Sequence, residues 1–317
     1  MAEPLLRIEH LKKYFSTNKG TLHAVDDVSF TLQKGETLGV VGESGCGKST
    51  LGRTILRLHE PTEGKVFFEG KDVTSMGKGE LKALRRDMQI IFQDPFASLN
   101  PRMTVYETIA ESLLIQKIYT RRQQQELNKR VTDLMDFVGL SSRLVNSYPH
   151  ELDGGRRQRI GIARVLALDP KFIVCDEPVS ALDVSIQAQI LNLMQDLQDE
   201  FSLTYLFITH DLSVVKHLSN DIAVMYLGQM VEKAPSSVLF SRPMHPYTQA
   251  LLSAIPVPDP DYQVKRVLLK GELTSPIDPE IGCRFAKRCP FATDACTRSD
   301  IPLREVEKGH LVACTLV

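Results

Sequence analysis

The stretch that decides the fold is Gly42-Glu43-Ser44-Gly45-Cys46-Gly47-Lys48-Ser49, which fits the pattern G-x-x-x-x-G-K-[ST]. It follows the apolar run Thr37–Val41 and opens a segment with helical spacing, residues 49–59. A glycine-rich turn between a strand and a helix directs backbone N–H groups at phosphate oxygens. Lys48 is therefore predicted to reach nucleotide phosphates, and Ser49 to bind Mg²⁺. The flanking context disfavours the alternative, a glycine turn with a chance lysine.

A second candidate element is the apolar run Lys171-Phe-Ile-Val-Cys-Asp176-Glu177. A buried strand that ends in aspartate supplies the rigid carboxylate that a nucleotide-bound Mg²⁺ needs. Glu177 follows at once, where it could polarise an attacking water. Such strand ends occur in many α/β proteins, so this element supports a nucleotide site only together with the phosphate loop. Cys175 is predicted to be a small core residue rather than a ligand.

Strand and helix patterns alternate along most of the chain. Alternating apolar residues predict early strands at 5–15, 24–32, 65–73 and 88–93. Helical spacing over 104–140 predicts a helical insertion. Further helices are predicted at 155–168 and 184–201, and further strands at 172–175, 205–208 and 222–226. This alternation predicts a mostly parallel sheet, and the prolines after residue 255 predict a domain boundary near residue 257.

Four further motifs accompany these two elements, and their joint order resembles the ATP-binding-cassette (ABC) ATPase family over about residues 5–255. Gln93, in Ile-Ile-Phe-Gln-Asp-Pro, matches the family's glutamine loop. Leu152-Asp-Gly-Gly-Arg156 matches its signature, usually written LSGGQ. Ser180-Ala-Leu-Asp183 matches the loop that crosses the dimer interface, and His210 matches the switch histidine.

The resemblance implies ATP and Mg²⁺ as cofactors and gives each motif residue a role. The implied catalytic residues are Glu177, His210 and Gln93, and the implied Mg²⁺ ligands are Ser49, Gln93 and Asp176. The implied nucleotide-binding residues are Phe15 (adenine stacking), Gly42, Glu43, Ser44, Gly45, Cys46, Gly47, Lys48, Ser49, Thr50, Asp153, Gly154, Gly155, Arg156 and Asp183. The implied fold class is α/β: an ABC-type P-loop NTPase with an antiparallel β subdomain, a helical subdomain and a small cysteine-containing C-terminal extension.

The signature departs from the family pattern at two positions, with Asp153 in place of serine and Arg156 in place of glutamine. In the family, this motif contacts the γ-phosphate of ATP held by the opposite subunit. Aspartate still suits a helix N-cap, but its carboxylate repels phosphate, and Arg156 could offset that charge within one turn. The resemblance therefore implies an asymmetric pair of ATPase subunits.

A closer resemblance covers nearly the whole chain. Residues 42–49, 92–101, 180–185 and 245–252 are similar to the dipeptide/oligopeptide importer ATPases, most of all to the second, F-type, ATPase of those systems. It implies an ABC ATPase domain over 1–256, with the helical insertion at about 95–165, and an oligopeptide-transporter-type extension over 257–317. It also implies two membrane permeases, a second ATPase, an extracytoplasmic substrate-binding protein and a peripheral place on the cytoplasmic face of the membrane.

Four of the six cysteines lie near the C-terminus: Cys283, Cys289, Cys296 and Cys314. Four clustered thiols could hold Zn²⁺ or a [4Fe–4S] cluster, and their spacing alone leaves metal and free thiols equally open. The resemblance favours the iron–sulfur cluster, with zinc second. The intervening Arg284, Lys287 and Arg288 are expected to be solvated, with cluster sulfurs or an acidic surface as other partners.

Composition argues against several other functions. The chain of 317 residues has 38 basic and 39 acidic side chains, so no global field draws it to nucleic acid or anionic lipid. No apolar run reaches the ~18 residues of a membrane span, and the first residues do not fit a signal peptide. Two alternatives stay open: a nucleic-acid-associated ABC ATPase, and a weakly hydrolysing nucleotide switch suggested by the unusual signature.

Overall fold

The computed structural model describes residues 3–120, 122–255, 267, 269, 271 and 275–317. The chain forms two compact units: unit 1 combines Met1–Ser75 with Phe207–Val317, and unit 2 is Met76–Leu206. Unit 2 is therefore an insertion within the sequence of unit 1. The boundary predicted near residue 257 lies outside the described residues.

The first part of unit 1 holds an antiparallel sheet and the phosphate loop. Its elements are β1 (Leu6–Thr17), β2 (Gly20–Leu32), β3 (Thr37–Val41), α1 (Lys48–Ile55), β4 (Glu63–Phe68), β5 (Lys71–Asp72) and a 3₁₀ turn at Val73–Ser75. The strand order of the antiparallel sheet is β2-β1-β4-β5. Leu6, Ile8 and Leu11 of β1 are buried, and a register shift between Ile8 and Leu11 keeps them on one face.

Unit 2 is mostly helical, with strands at its start and end. Its elements are α2 (Lys78–Asp87), β6 (Met88–Ile91), α3 (Val105–Ile115), α4 (Gln124–Phe137), two 3₁₀ turns (Ser142–Leu144 and Pro149–Glu151), α5 (Gly154–Leu166), β7 (Phe172–Asp176), α6 (Val184–Phe201) and β8 (Thr204–Ile208), through which the chain returns to unit 1. Strands β6 and β7 pair in parallel. The helical pattern of 104–140 is confirmed as α3 and α4.

Local sequence explains where α3 begins. The Thr104 hydroxyl accepts the Glu107 backbone N–H at 3.2 Å, and the Glu107 carboxylate accepts the Thr104 N–H at 2.8 Å. This reciprocal pair satisfies two N–H groups that the first helical turn would otherwise leave unpaired. A threonine followed three residues later by glutamate thus caps the start of this helix.

The second part of unit 1 completes the sheet that carries the phosphate loop. Its elements are α7 (Leu212–Leu218), β9 (Asp221–Tyr226), β10 (Gln229–Pro235), α8 (Ser236–Ser241), α9 (Pro246–Ser253), α10 (Ala295–Arg298), β11 (Arg304–Glu307) and β12 (His310–Val312). The strand order within unit 1 is β11-β12-β10-β9-β3, with β3 and β9 parallel and the other pairs antiparallel. The C-terminal segment (residues 275–317) therefore belongs to this sheet.

A buried contact at hydrogen-bond distance, between a histidine and a glutamate, fastens the C-terminal segment to the sheet. His310 of β12 and Glu232 of β10 are almost fully buried, and their Nε2 and Oε1 atoms are 2.7 Å apart. The Glu232 carboxylate also accepts the backbone N–H groups of Met244 at 2.7 Å and His245 at 3.0 Å. Three partners compensate for removing this carboxylate from water. Within the described residues, none of the helices combines the length and the apolar character needed to cross a bilayer.

Candidate nucleotide site

The phosphate loop (residues 42–49) holds a buried ammonium group. Lys48 is 4% exposed, and its Nζ donates to the carbonyl oxygens of Gly42 at 2.8 Å and Glu43 at 3.0 Å. The side chain thus crosses its own loop, while Ser44 and Gly45 stay exposed. When a phosphate binds, the ammonium group of a lysine in this arrangement can replace its hydrogen bonds to carbonyl oxygens with hydrogen bonds to phosphate oxygens.

Glycine is required at the end of the loop, where α1 begins. Gly47 has φ +106°, and a Cβ atom there would lie 2.0 Å from the carbonyl oxygen of Ala24. Neither the backbone angle nor the space allows a side chain. A second contact holds the preceding residue: the Cys46 carbonyl oxygen accepts the Gly228 N–H at 2.8 Å. Strand β2 and the β9–β10 turn therefore hold the end of the loop, where α1 begins, in a fixed position.

Cys46 supports the loop by packing. Its side chain is 1% exposed, and burial raises the pKa of its thiol, so it is neutral at physiological pH. Cys175, at the end of β7, is fully buried and its pKa is raised well above its usual range for the same reason. The prediction that Cys175 is a core residue is therefore confirmed.

Two residues of the C-terminal half contact the loop, and sequence reasoning missed both. Arg288 forms a two-pronged ion pair with the Glu43 carboxylate, at 2.7 and 3.1 Å. The Tyr247 hydroxyl accepts the Glu43 backbone N–H at 2.9 Å. The hydrogen bond to Glu43 is the main reason that the pKa of Arg288 is raised. Glu43 thus turns its carboxylate towards arginine, and its expected role in nucleotide binding stays a prediction.

Two of the three basic residues around Cys289 differ from expectation. Arg284 pairs with Asp26 and donates to the Leu227 carbonyl, and only 7% of its side chain is exposed. The prediction that Arg284 and Arg288 are solvated is wrong, because acidic partners distant in sequence cover both. Lys287 is solvated as predicted, with a 70% exposed side chain paired to Glu280.

Two predicted nucleotide-site residues of unit 1 lie at its surface. Phe15 is half-buried, with its ring edge-on to His59 at a centroid distance of 5.6 Å. His210 is exposed and lies two residues after the end of β8. The next residue, Asp211, caps α7 by accepting the Ser213 N–H at 2.8 Å. Their expected roles, adenine stacking and γ-phosphate contact, stay predictions.

Unit 2 brings two predicted catalytic residues together. The Gln93 amide Nε2 donates to Glu177 Oε2 at 2.9 Å, across 84 positions of sequence. Asp176, the last residue of β7, is fully buried, whereas Glu177 is half-buried with a left-handed φ of +49°. That backbone angle, unusual for a non-glycine residue, turns the chain sharply after the strand. A fixed carboxylate bonded to an amide suits the positioning of a water molecule.

The signature motif begins α5, as its sequence predicts. The Asp153 side chain caps the helix by accepting the Arg156 N–H at 2.8 Å, and Arg156 Nε lies 3.5 Å from Asp153 Oδ2. Both predictions, the cap and the local charge compensation, are confirmed. A side chain at Gly155 would force Ile186 to shift, because the added Cβ would lie 2.7 Å from Ile186 Cγ2. The motif therefore presents two exposed and mutually paired charges.

Asp183 stands at the N-cap position of α6 and is exposed, although its side chain makes no capping hydrogen bond. The loop before it is held by Gln187, whose amide donates to the carbonyl oxygens of Val179 at 3.0 Å and Leu182 at 2.9 Å. The loop that bears Asp183 is therefore anchored by its following helix, and Asp183 itself faces solvent.

The predicted metal site at the C-terminal cysteines gains no support. Among the described residues, which include all four thiols, no group of three or more histidine, cysteine, aspartate or glutamate side chains is arranged to hold a metal ion. Burial raises the pKa of Cys283 to about 11, and the neighbouring thiols Cys296, Cys314 and Cys289 add to that increase. Cys296 instead lies 3.4 Å from the Thr315 hydroxyl.

Comparisons with known proteins agree with this arrangement. A profile of the ABC transporter family matches residues 25–180, and one for the oligopeptide/dipeptide transporter C-terminal region matches residues 231–296. The oligopeptide transport ATP-binding protein AppF of Bacillus subtilis (strain 168) is 52% identical, over 99% of this chain and 98% of its own. The YkfD protein of the same organism is 54% identical, over 99% of this chain and 95% of its own.

Solved structures show the same fold. The ATP-binding cassette MJ0796, dimeric in a post-hydrolysis state with ADP and phosphate, superposes with a TM-score of 0.67 at 28% identity, over 73% of this chain and 98% of its own. The cbiO1 protein of Clostridium perfringens gives 0.67 at 26% identity, over 76% of this chain and 92% of its own. The chain belongs to the ABC transporter ATP-binding proteins, the subunits that hydrolyse ATP. Within that class it is a member of the oligopeptide/dipeptide transporter family.

Proposed function

We propose that this chain hydrolyses ATP to energise the import of di- or oligopeptides. The observation that carries the proposal is Lys48, a buried ammonium group that lies across its own loop on two main-chain carbonyl oxygens. A cation held in this way is prepared for a strong anionic ligand, because charge-assisted bonds to phosphate are stronger than those to neutral carbonyls. The names of the relatives supply the solute class, since AppF is an oligopeptide transport protein.

The reaction is an in-line attack of water on the γ-phosphate of Mg·ATP. Lys48 and the loop N–H groups stabilise the phosphate charge, and His210 donates to the γ-phosphate. Glu177, oriented by Gln93, accepts a hydrogen bond from the attacking water and takes its proton as the water oxygen bonds the γ-phosphorus and ADP leaves. Phe15 stacks on adenine.

The donors available for Mg²⁺ fit that ion. Ser49 offers a hydroxyl oxygen, Gln93 an amide oxygen and Asp176 a carboxylate oxygen, and Mg²⁺ prefers hard oxygen ligands. Asp176 is fully buried at the end of a strand, so its carboxylate is rigid before any ion arrives. The ion, when bound, neutralises charge on the β- and γ-phosphates.

The partners in this proposal are two permeases, a second ATPase subunit and, indirectly, an extracytoplasmic substrate-binding protein. The chain works peripherally on the cytoplasmic face of the membrane, bound to the permeases. In this proposal each nucleotide lies between one subunit's phosphate loop and the other's signature; the dimeric, ADP-bound MJ0796 is a precedent for pairing of such subunits. The charged signature, Asp153 with Arg156, favours a different chain as the partner.

A metal centre at the four C-terminal cysteines stays a hypothesis that rests on the sequence pattern and the family resemblance. The side-chain arrangement does not fit a metal as it stands. No step of the proposed reaction depends on it.

The two alternative functions are less well supported. A nucleic-acid-associated ATPase is disfavoured by the balanced charge of 38 basic and 39 acidic side chains and by relatives that are peptide transport proteins. A weakly hydrolysing switch is less favoured because Glu177 and Gln93, the two residues proposed to act on the attacking water, are joined by a hydrogen bond.

The test is ATP binding and turnover in the complex assembled with its permeases. Lys48→Ala removes two charge-assisted phosphate contacts worth about 1.5 kcal/mol each, so ATP affinity should fall about 100-fold. Lys34→Ala, at an exposed lysine before β3, is the matched control and should bind ATP as the unmodified chain does. Peptide uptake into proteoliposomes should stop with Lys48→Ala alone. Equal ATP affinity in both variants would contradict the proposal.

A further inference from the structure

The ion pair between Arg288 and Glu43 joins the phosphate loop to a residue 245 positions away, in the C-terminal segment. Glu43 directly follows Gly42 at the start of the loop, and Lys48 donates to its carbonyl oxygen. Its carboxylate is therefore a negative charge within a loop that must receive a triphosphate. An unpaired carboxylate at this position repels the ligand.

Arg288 is well placed to cancel that charge. Its guanidinium bonds both oxygens of Glu43, and only 11% of the Arg288 side chain and 27% of the Glu43 side chain are exposed. Its guanidinium also lies 5.9 Å from the centre of the Tyr226 ring. The two-pronged geometry fixes the direction of the carboxylate as well as its charge. Both oxygens thus point at the arginine.

Tyr247 holds the main chain of the same residue. Its fully buried ring packs with Tyr226 and Phe285, at centroid distances of 4.7 and 5.4 Å, and its hydroxyl accepts the Glu43 N–H. Phe285 belongs to the C-terminal segment and is 1% exposed. Side chain and main chain of Glu43 are therefore both held by residues beyond position 246.

We propose that Arg288 is a positioning residue for ATP binding, which neutralises Glu43 and turns its carboxylate away from the phosphates. The inference rests on the proposed function of the Lys48 loop and extends it. The C-terminal segment then contributes directly to nucleotide affinity. The effect lies in the affinity for ATP and not in the chemical step, because Arg288 acts on the loop and not on the water or on Glu177.

The experiment measures KM for ATP and kcat in the assembled complex. Arg288→Gln should raise KM about tenfold, equivalent to about 1.4 kcal/mol, with kcat almost unchanged. The double variant Glu43→Gln with Arg288→Gln should restore most of the affinity, because it leaves no unpaired carboxylate. Lys287→Gln, an exposed neighbour paired with Glu280, is the matched control and should leave KM as it is.

A separate variant guards against a folding defect. Arg288→Lys keeps the positive charge but loses the two-pronged geometry, so it should give a KM between those of the unmodified chain and Arg288→Gln. A KM for Arg288→Gln equal to that of Lys287→Gln would overturn the inference, and so would a double variant as poor as Arg288→Gln. Absence of saturable ATP hydrolysis in the unmodified complex would instead overturn the proposed function.

Discussion

The phosphate loop and the signature motif both follow glycine-rich patterns at the start of a helix, but the protein holds them in opposite ways. The loop is fixed by distant parts of the chain: Ala24 limits Gly47, and Arg288 and Tyr247 hold Glu43. The signature relies on itself, since Asp153 caps its own helix and pairs with Arg156 three residues on.

This difference between distant and local contacts indicates which of the two motifs is fixed for a ligand of its own chain. A loop with buried, distant contacts keeps a fixed geometry for its own ligand. A motif with two exposed, mutually paired charges has its ligand side open, as a surface that acts on a nucleotide held by another subunit requires. Changes at the loop and at Glu177 should therefore have large effects, and changes at the signature small ones.

The largest effect is expected at Glu177. Glu177→Gln keeps the shape and an oxygen that can accept from the Gln93 amide, but it removes the negative charge. Turnover should fall ~10²-fold or more, the scale of a lost general base, while ATP binding stays intact. Steady-state hydrolysis and nucleotide binding of the assembled complex measure the two effects. Turnover near the unmodified rate would show that Glu177 is not the catalytic base.

A steric change in the loop comes next. Gly47→Ala forces a Cβ atom to 2.0 Å from the Ala24 carbonyl oxygen at a φ of +106°, so the loop must move. The strained backbone alone costs about 1–3 kcal/mol, and ATP affinity should fall at least about tenfold. Thermal unfolding and ATP titration measure both consequences.

The control for that change is Gly79→Ala in α2, where a Cβ atom meets nothing within 4 Å. Alanine there should leave ATP affinity unchanged and stabilise the helix by up to ~1 kcal/mol. If Gly47→Ala bound ATP as tightly as this control, the loop would not be held by its distant contacts.

A smaller effect is expected at the signature. Asp153→Ser keeps a side chain that can cap α5 and leaves Arg156 free to attract phosphate. Turnover should rise by about two- to fivefold, because exposed ion pairs are worth no more than ~1 kcal/mol, and the unfolding temperature should stay constant. Asp153→Asn, which keeps the cap and removes the charge, should behave alike. A large loss of turnover in both variants would show that the carboxylate itself is needed.

The same asymmetry can be tested with the second ATPase. If Asp153 weakens its contact with the partner's nucleotide, hydrolysis should be carried mostly by the nucleotide on Lys48. Replacing the catalytic glutamate of each subunit in turn should then cripple the complex through Glu177 and much less through the partner. The reverse pattern would place the weaker site on this chain.

The last test measures the metal content of the protein and not its rate of ATP hydrolysis. The iron–sulfur hypothesis predicts about four irons per chain after anaerobic purification, and Cys289→Ser should lose them together with thermal stability of the C-terminal segment. Stoichiometric zinc would replace that hypothesis, and protein free of both metals would end it. Metal analysis and the visible absorption spectrum decide between these results.

The sequence by itself determined the local features of this protein. The stretch from Thr37 to His59 defines a strand, a turn and a helix, because each depends on residues a few positions apart. The Thr104–Glu107 cap and the Asp153 cap follow from neighbouring side chains for the same reason. The order of the short motifs was enough to place the chain among the ABC ATPases.

Only the tertiary structure decided which distant residues meet. Gln93 reaches Glu177 across 84 positions, and Arg288 reaches Glu43 across 245. The sequence alone suggests that the basic residues near the cysteines are solvated. Packing instead pairs two of them with half-buried acids and leaves Lys287 in water. Periodicity and spacing describe one face of one element. Which face another segment covers depends on how the whole chain packs its core.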